Sequence, residues 1–242
     1  MMADEWRSSF IDRGYAHFPR LVPAALIEAA RTAIVEDLRL RYDATREVEY
    51  SNQSYCPDIL GTPPITDLLE RSPVRDIVST ALGLDTVQWD AGQVAIRWAH
   101  NVDREFPPEP HLDGYPTANN GLRPGRINNH TATIGVFLTT TPRTFSGNLT
   151  VWPSTHRAYE RYFRDRGPRV LFEPYPRLDL GAPLQLMCEV GDVVLMHYEL
   201  AHTAAVNTSD SDRIAVYFRL WFRDIDAQRW EYLANLWRGW RL

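Results

Sequence analysis

The sequence has few cysteines, no long apolar run and no excess of positive charge. Two cysteines, Cys56 and Cys188, are too few for a disulfide framework. No apolar stretch is long enough to cross a bilayer, and the N-terminus lacks the pattern of a signal peptide. The net charge of -5 gives no general attraction to nucleic acid or to anionic membranes. We therefore expect a cytoplasmic protein that acts on neither nucleic acid nor membranes.

The length and composition suit one globular domain. The chain has 242 residues, of which 44% are hydrophobic and 24% are charged, as is typical of a folded domain. We treat residues 1–242 as a single domain with a helical part at 1–85, a strand-rich core at 86–224 and a C-terminal helix at 225–242. In the first part, Pro23 opens a segment with apolar residues at helical spacing, which predicts a helix to about Arg41.

The strand-rich core has a pattern typical of packed antiparallel sheets. From Thr86 onward apolar and polar residues alternate, and Gly, Pro and Asn separate the short strands. This predicts a mainly β fold with flanking helices, a double-stranded β-helix (jelly-roll, cupin-like) barrel. The segment from Trp230 to Trp240 predicts an amphipathic helix that packs on the sheet, with a contact in a homodimer as the alternative.

A short histidine–aspartate motif, His111-Leu112-Asp113, is the first candidate for a metal site. In an extended segment, residues two positions apart point to the same side of the chain. Two imidazoles and one carboxylate are the ligand set of non-haem Fe(II) oxygenases, and this set leaves positions open for a co-substrate and O2. The motif supplies one imidazole, so the other must come from a distant part of the chain.

The second histidine is predicted to be His202. Residues 193–202 form one β-rich run and residues 213–218 another, with a turn-rich cluster around Ser209 between them. The two runs predict a hairpin, in which His202 and Arg213 lie nearly opposite each other and share a face. Arg213 would then supply a fixed positive charge for a dicarboxylate co-substrate.

His197 is the alternative third ligand. If it bound the metal, the residue in the position corresponding to Arg213 would be Thr208, which is not a cation. We therefore interpret His197 as a histidine of the strand interior.

Several motifs together resemble the phytanoyl-CoA dioxygenase-like family of Fe(II)/2-oxoglutarate oxygenases. No single motif is decisive, but their order and spacing along most of the chain are fairly specific. The segments that carry the resemblance are residues 9–23, residues 68–83, Pro110-His111-Leu112-Asp113, Ser146-Gly147-Asn148-Leu149 with the strand end to His156, Gly191-Asp192-Val193-Val194, and His202-Thr203 through Asn207 to Arg213. Where the family often has Gly-Ser after the last histidine, this chain has Thr203-Ala204.

The resemblance implies cofactors and roles for individual residues. It implies Fe(II) bound by His111, Asp113 and His202, and 2-oxoglutarate with its far carboxylate on Arg213. The family takes a second co-substrate contact from a polar residue on the strand before the iron motif, for which we choose Gln93; Thr133 is a further candidate. The presence of Asp113 argues against the halogenating relatives, which need that position vacant for a halide.

The expected activity follows from this set. We expect an Fe(II)/2-oxoglutarate-dependent dioxygenase that hydroxylates an unactivated C–H bond of a small polar or anionic metabolite or natural-product intermediate, releasing succinate and CO2. The candidates for substrate binding are Arg97, Tyr115, Arg126 and Trp152. Two alternatives remain: a cupin-like metal dioxygenase that does not use 2-oxoglutarate, and a non-catalytic small-molecule-binding barrel. Arg213 argues against the first and the complete ligand set against the second.

Two polar segments allow both a functional and a structural interpretation. Residues 114–130 either cover the site or form a solvated connection, and we favour the connection. The arginines of residues 157–169 form either an anion site or a charged helix face balanced by acidic residues, and we favour the helix face.

Overall fold

Most of the helices lie in the first third of the chain and eight of the nine strands follow them, in the part that this computed structural model describes, residues 5–242. The α-helices are α1 (Glu5–Arg13), α2 (Ala24–Arg41), α3 (Glu47–Asn52), α4 (Pro63–Glu70), α5 (Val74–Ala81), α6 (Thr155–Arg166) and α7 (Arg229–Leu233). The strands are β1 (Tyr15–Phe18), β2 (Val87–Trp89), β3 (Gln93–Arg97), β4 (Ala132–Phe137), β5 (Leu149–Val151), β6 (Leu184–Gln185), β7 (Val193–His197), β8 (His202–Ala204) and β9 (Arg213–Phe222). None of the described helices has the length and apolar character needed to cross a membrane.

The strands form two antiparallel sheets. The larger sheet has the order β1-β7-β4-β9-β2, and β3 also pairs with β9; the smaller sheet has the order β6-β5-β8. Side chains from both sheets share one buried cluster, in which Leu149 and Val151 of the smaller sheet meet Phe137 and Met196 of the larger. The two sheets therefore pack face to face, and the predicted mainly β, jelly-roll type fold with flanking helices is confirmed.

The helical part covers the other face of the larger sheet. The helix predicted from Pro23 forms as α2, and it buries Ile27, Ala30 and Ile34 against this face. Strands β4 and β7 are buried along their whole length because they have helices on one side and the smaller sheet on the other.

The predicted hairpin between residues 193–202 and 213–218 is wrong. Strand β8 pairs with β5 in the smaller sheet, whereas β9 pairs with β4, β3 and β2 in the larger. The turn-rich segment is a crossing from one sheet to the other. The buried side chain of Asn207 holds it through hydrogen bonds to the carbonyls of Arg97 and Ser211 at 2.9 and 2.8 Å. His202 and Arg213 thus lie on different sheets and line the same cavity.

The predicted C-terminal helix over residues 230–240 is also wrong in its extent. Only α7 is helical, and the chain then continues in turns. Gly239 has a φ of +78°, which side-chain-bearing residues rarely adopt, and a helix does not pass through it. The aromatic residues still pack on the protein: Trp237 and Trp240 contact Phe10 with ring centroids 5.8 and 4.9 Å away.

Candidate metal centre

Two histidines and one aspartate meet beside the smaller sheet. The backbones of His111 and His202 form an antiparallel bridge, with each N–H bonded to the other carbonyl at 3.0 Å. This bridge brings the two imidazole centroids to 4.8 Å. Oδ1 of Asp113 lies 3.5 Å from Nε2 of His111 and 3.8 Å from Nε2 of His202. The structure therefore brings together the three residues that the sequence indicated as metal ligands, with one ligand atom of each within 4.8 Å of the others.

The chemistry of this donor set fits Fe(II). Nδ1 of His202 lies 3.0 Å from the carbonyl oxygen of Leu200. Because a carbonyl only accepts, Nδ1 carries the proton and the lone pair of Nε2 is free for a metal. Burial lowers the pKa of His202 to about 4, so the ring is neutral at neutral pH and no proton has to leave before a metal binds.

The second oxygen of Asp113 binds an arginine that the sequence analysis missed. Nε of Arg219 donates to Oδ2 of Asp113 at 2.9 Å, and Nη2 lies 2.8 Å from the same oxygen. Burial opposes the charged form of Asp113. The charge of Arg219 and the hydrogen bond from His111 outweigh it and hold the pKa of Asp113 well below its usual range. The carboxylate is therefore ionised at neutral pH.

A period of two along β9 could have revealed Arg219. Alternate residues of a strand share a face, so the face that begins with Arg213 continues through Ala215 and Tyr217 to Arg219. Three of these four, Arg213, Tyr217 and Arg219, line one cavity.

Arg213 is a buried cation without an anionic partner in the described part of the chain. Only 1% of the residue is exposed, and its guanidinium donates to the carbonyls of Gly147 and Ala95 at 2.8 and 3.0 Å. Burial, with the charge of Arg97 adding to it, lowers the pKa of Arg213 to about 10, which leaves the guanidinium protonated at neutral pH. A buried charge with unused N–H donors at a cavity wall is suited to bind a carboxylate.

A cavity of about 470 Å³ contains the cluster. The sequence candidates that line it are His111, Asp113, His202, Arg213, Gln93, Thr133, Arg97 and Tyr115. The other two lie elsewhere. Arg126 is exposed and lies 3.9 Å from Asp226, and Trp152 is buried in an apolar cluster and does not line the cavity.

The two candidates for a second co-substrate contact both have protein partners. Gln93 accepts a hydrogen bond from Nη1 of Arg219 at 2.7 Å and donates to the carbonyl of Gln53. The hydroxyl of Thr133 lies 2.7 Å from Nε2 of His130. A contact of Gln93 or Thr133 with 2-oxoglutarate stays a prediction.

The segment after the motif covers part of the cavity. Its first residues, including Tyr115, Thr117 and Asn120, line the cavity wall. The side chain of Gln53 ties the segment to the chain beyond α3 by donating to the carbonyl of Asn119 at 3.1 Å. Residues 114–120 thus do more than connect two strands, contrary to the interpretation favoured from the sequence.

The structure agrees with the sequence interpretation of His197. Its Nε2 lies 2.9 Å from the carbonyl of Leu236, and its Nδ1 accepts from the N–H of Glu199 at 3.1 Å. Both ring nitrogens are in use, which leaves no lone pair for a metal.

The arginine-rich segment at 157–169 lies on α6 and the short 3₁₀ helix after it. It shows exposed ion pairs such as Arg164 with Glu160 at 2.7 Å and Arg166 with Glu173 at 2.8 Å. These contacts fit a charged helix face.

A family model covers most of the chain. The family model described as Phytanoyl-CoA dioxygenase (PhyH) matches residues 10–215, well over half of the chain. A search of the curated proteins found no match.

The solved structures to which the chain is similar at low sequence identity include the following three enzymes. The alpha-ketoglutarate-dependent epimerase SnoN from nogalamycin biosynthesis is 17% identical, with 90% of this chain and 80% of that chain covered and a TM-score of 0.60. The carbocyclase SnoK from the same biosynthesis is 19% identical, with 94% and 90% covered and a TM-score of 0.56. HygX from Streptomyces hygroscopicus, with nickel and 2-oxoglutarate bound, is 14% identical, with 92% and 88% covered and a TM-score of 0.58. At these identities the likeness shows a shared fold.

Proposed function

Since the chain belongs to the phytanoyl-CoA dioxygenase family, whose enzymes use Fe(II) and 2-oxoglutarate, we propose that it hydroxylates an unactivated C–H bond of a small polar or anionic molecule. In the overall reaction, 2-oxoglutarate and O2 are consumed, one oxygen atom enters the substrate, and succinate and CO2 are released. The observation that carries the proposal is the convergence of His111, Asp113 and His202 in a cavity that also contains the buried cation Arg213.

The ligand residues have separate tasks. His111 and His202 would bind the iron through Nε2, and Asp113 through Oδ1, because these are the atoms that face one another. When bound, the iron supplies the coupling of 2-oxoglutarate decarboxylation to C–H oxidation. The hydrogen bond from His202 to Leu200 fixes its imidazole in the tautomer that leaves Nε2 free.

Arg213 would bind the far carboxylate of 2-oxoglutarate. The carbonyls of Gly147 and Ala95 hold its guanidinium at the cavity wall before any ligand arrives. A cation held in this way loses little conformational entropy when the co-substrate binds. Burial strengthens its attraction to a carboxylate because little water screens the pair.

The charge of the cavity supports a polar or anionic substrate. Its lining has three arginines (Arg97, Arg213 and Arg219) and one carboxylate, Asp113. The two charges of Fe(II) balance the two charges of 2-oxoglutarate, so an excess of positive charge remains. Among the described residues Arg97 has no anionic partner, and we assign it to the substrate.

Part of the cavity wall is apolar. Leu149, Met196 and Tyr217 contribute to the cavity wall. Tyr217 lies across from Gly135 of β4, where a Cβ atom would come within 2.7 Å of the tyrosine ring. Apolar groups beside the ligand residues reduce the contact of a reactive centre with water, which limits side reactions.

A turnover assay with matched variants tests the proposal. The wild-type protein with Fe(II), O2 and 2-oxoglutarate should form succinate, and an accepted substrate should gain the mass of one oxygen atom. Asp113→Ala and His202→Ala should abolish iron-dependent succinate formation, whereas His100→Ala, at an exposed histidine hydrogen-bonded with Asp210, should not change it. Full activity in either ligand variant would refute the assignment. A product without added oxygen would contradict hydroxylation and favour epimerisation or ring closure, the reactions named for SnoN and SnoK.

A further inference from the structure

The two carboxylate oxygens of Asp113 have different neighbours. Its Oδ1 faces the two histidines, at 3.5 and 3.8 Å from their Nε2 atoms. Its Oδ2 faces away from them and lies against the guanidinium of Arg219, with Nε at 2.9 Å and Nη2 at 2.8 Å. The side chain of Asp113 is only 15% exposed, so water has little access to replace either contact.

Arg219 also forms a hydrogen bond with a side chain other than Asp113. Its remaining terminal nitrogen, Nη1, donates to Oε1 of Gln93 at 2.7 Å, and the amide nitrogen of Gln93 is anchored on the carbonyl of Gln53. A planar guanidinium that binds one carboxylate oxygen with two nitrogens and a fixed amide with the third has little freedom to rotate. The position of the aspartate oxygens is thereby tied to strands β9 and β3 of the larger sheet.

We propose that Arg219, braced by Gln93, is a positioning residue of the metal centre, which restricts Asp113 to binding the metal through Oδ1 alone. The inference rests on the proposed function, since it assumes that the cluster of Asp113 with His111 and His202 binds a metal. With Oδ2 held by Arg219, the aspartate occupies one coordination position and does not chelate. Three positions then remain for the co-substrate and O2, whereas a chelating aspartate would leave two.

The role assigned to Gln93 changes with this inference. The resemblance to the family implied a contact with 2-oxoglutarate, but both ends of its amide bind protein groups in this structure. Its part is to hold Arg219 in place. Gln53 extends the connection, since its side chain bonds to Asn119 in the segment that follows Asp113 along the cavity.

A simpler role for Arg219 would be to balance the charge of Asp113. Substitution of Arg219 by lysine distinguishes charge balance from positioning of Asp113. A lysine at this position keeps the charge, but it has a single nitrogen and does not hold Oδ2 and Gln93 together. If charge alone matters, Arg219→Lys should behave as the wild type, and Arg219→Met should bind a metal more tightly, because a cation next to the site has been removed.

The test measures metal binding without turnover. Wild-type protein, Arg219→Lys, Arg219→Met and Gln93→Met are freed of metal and titrated anaerobically with Fe(II) and with Co(II), whose visible spectrum reports its coordination. Arg97→Met is the matched control, because it removes another cavity arginine, one that has no contact with Asp113 among the contacts described. Thermal unfolding of each metal-free variant shows that it is folded.

The expected result is weaker binding of both metals by Arg219→Lys and Arg219→Met, by about 10- to 100-fold, together with a changed spectrum of bound Co(II). Gln93→Met should show a smaller loss in the same direction, and Arg97→Met should stay close to the wild type. If Arg219→Met does not fold, Arg219→Lys and Gln93→Met decide the question.

Three results would overturn the inference: a wild-type dissociation constant and Co(II) spectrum in Arg219→Lys, tighter binding in Arg219→Met, or an equal loss in Arg97→Met. Each of them leaves the proposed function in place, provided that the wild type binds the metal. Absence of metal binding by the wild-type protein would instead refute both.

Discussion

Replacement of Arg213 should weaken the binding of 2-oxoglutarate far more than the binding of the metal. Arg213 lies on β9 in the wall of the cavity that also contains His202, and its guanidinium touches none of the three proposed ligands in the described contacts. Arg213→Gln removes the charge but keeps a polar side chain that can still reach a backbone carbonyl. Arg213→Lys keeps the charge but loses the paired donors. The two variants therefore separate charge from geometry at one position.

The expected loss of affinity for 2-oxoglutarate follows from the burial of Arg213. Loss of one partner from a buried, hydrogen-bonded charge pair costs about 2–5 kcal/mol. With only 1% of Arg213 exposed, a value near the middle of that range is reasonable. At about 1.4 kcal/mol per tenfold change, a loss of about 3 kcal/mol corresponds to roughly 100-fold weaker binding for Arg213→Gln. We expect a loss of about tenfold for Arg213→Lys, because a point charge keeps part of the attraction.

Pyruvate provides the matched ligand for the assay. It has the same keto-acid end as 2-oxoglutarate but no far carboxylate, so it does not use Arg213. Binding of each keto acid to the Fe(II)-loaded protein is followed anaerobically through the weak visible charge-transfer band of the chelate. The wild-type protein should prefer 2-oxoglutarate, and both variants should lose most of that preference while pyruvate binding changes little.

Two results would refute this reasoning. If Arg213→Gln kept the wild-type preference for 2-oxoglutarate, the far carboxylate would bind elsewhere, and Arg97, which lies opposite Arg213 in the register of β3 and β9, would be the first residue to test. If both keto acids lost affinity equally, the substitution would have disturbed the metal centre or the fold, and Arg213 would not be specific for the far carboxylate.

Two further predictions concern the stability of the fold. Gly147 has a φ of +73°, and a Cβ atom there would lie 2.8 and 3.0 Å from the Cβ atoms of Arg97 and Arg213. Gly147→Ala should therefore lower the free energy of unfolding by about 2–4 kcal/mol and weaken 2-oxoglutarate binding. Gly181→Ala, at a φ of +72° with nothing within 4 Å, is the control for backbone strain in thermal unfolding, and an equal loss in both variants would rule out the close contact as the cause. Burial lowers the pKa of three core histidines, to about 3 for His130 and His197 and about 4 for His156. Their unfolded pKa is about 6.5, so the unfolded state takes up protons first as the pH falls, and the free energy of unfolding should decrease by about 2 kcal/mol per histidine between pH 7 and pH 5. Urea denaturation of the metal-free protein measures this decrease, and equal stability at both pH values would contradict the burial of these rings in their neutral form.

The features that the sequence predicted well depend on local pattern. The helical spacing after Pro23 produced α2, and the two-residue spacing of His111 and Asp113 placed both side chains beside His202. Local periodicity determines which face of a helix or strand is buried, and that is enough to predict such elements. The resemblance to a family then added the order of the motifs along the chain, which no local pattern contains.

The errors have a common physical cause, which is pairing between distant segments. Residues 193–202 and 213–218 have the composition of a hairpin, but their hydrogen bonds go to strands far away in the chain. A dense turn cluster looks the same whether it closes a hairpin or crosses between two sheets. The period of two along β9 places Arg219 on the cavity face, but it does not indicate the partner Asp113, which is distant in sequence.

The register of β9 links the fold to the chemistry of the site. Arg213 and Arg219 lie on one face of this strand, about 20 Å apart along it at the usual rise per residue. One of them is assigned to the co-substrate and the other to the metal-binding carboxylate. The register is fixed on both sides: Arg97 and Gln93 of β3 lie across from Arg213 and Tyr217, and Thr133 of β4 lies across from Arg219. A slip by one residue would turn both arginines away from the cavity. The backbone hydrogen bonds that stabilise the larger sheet are therefore also the ones that keep Arg213 and Arg219 on the cavity face of β9.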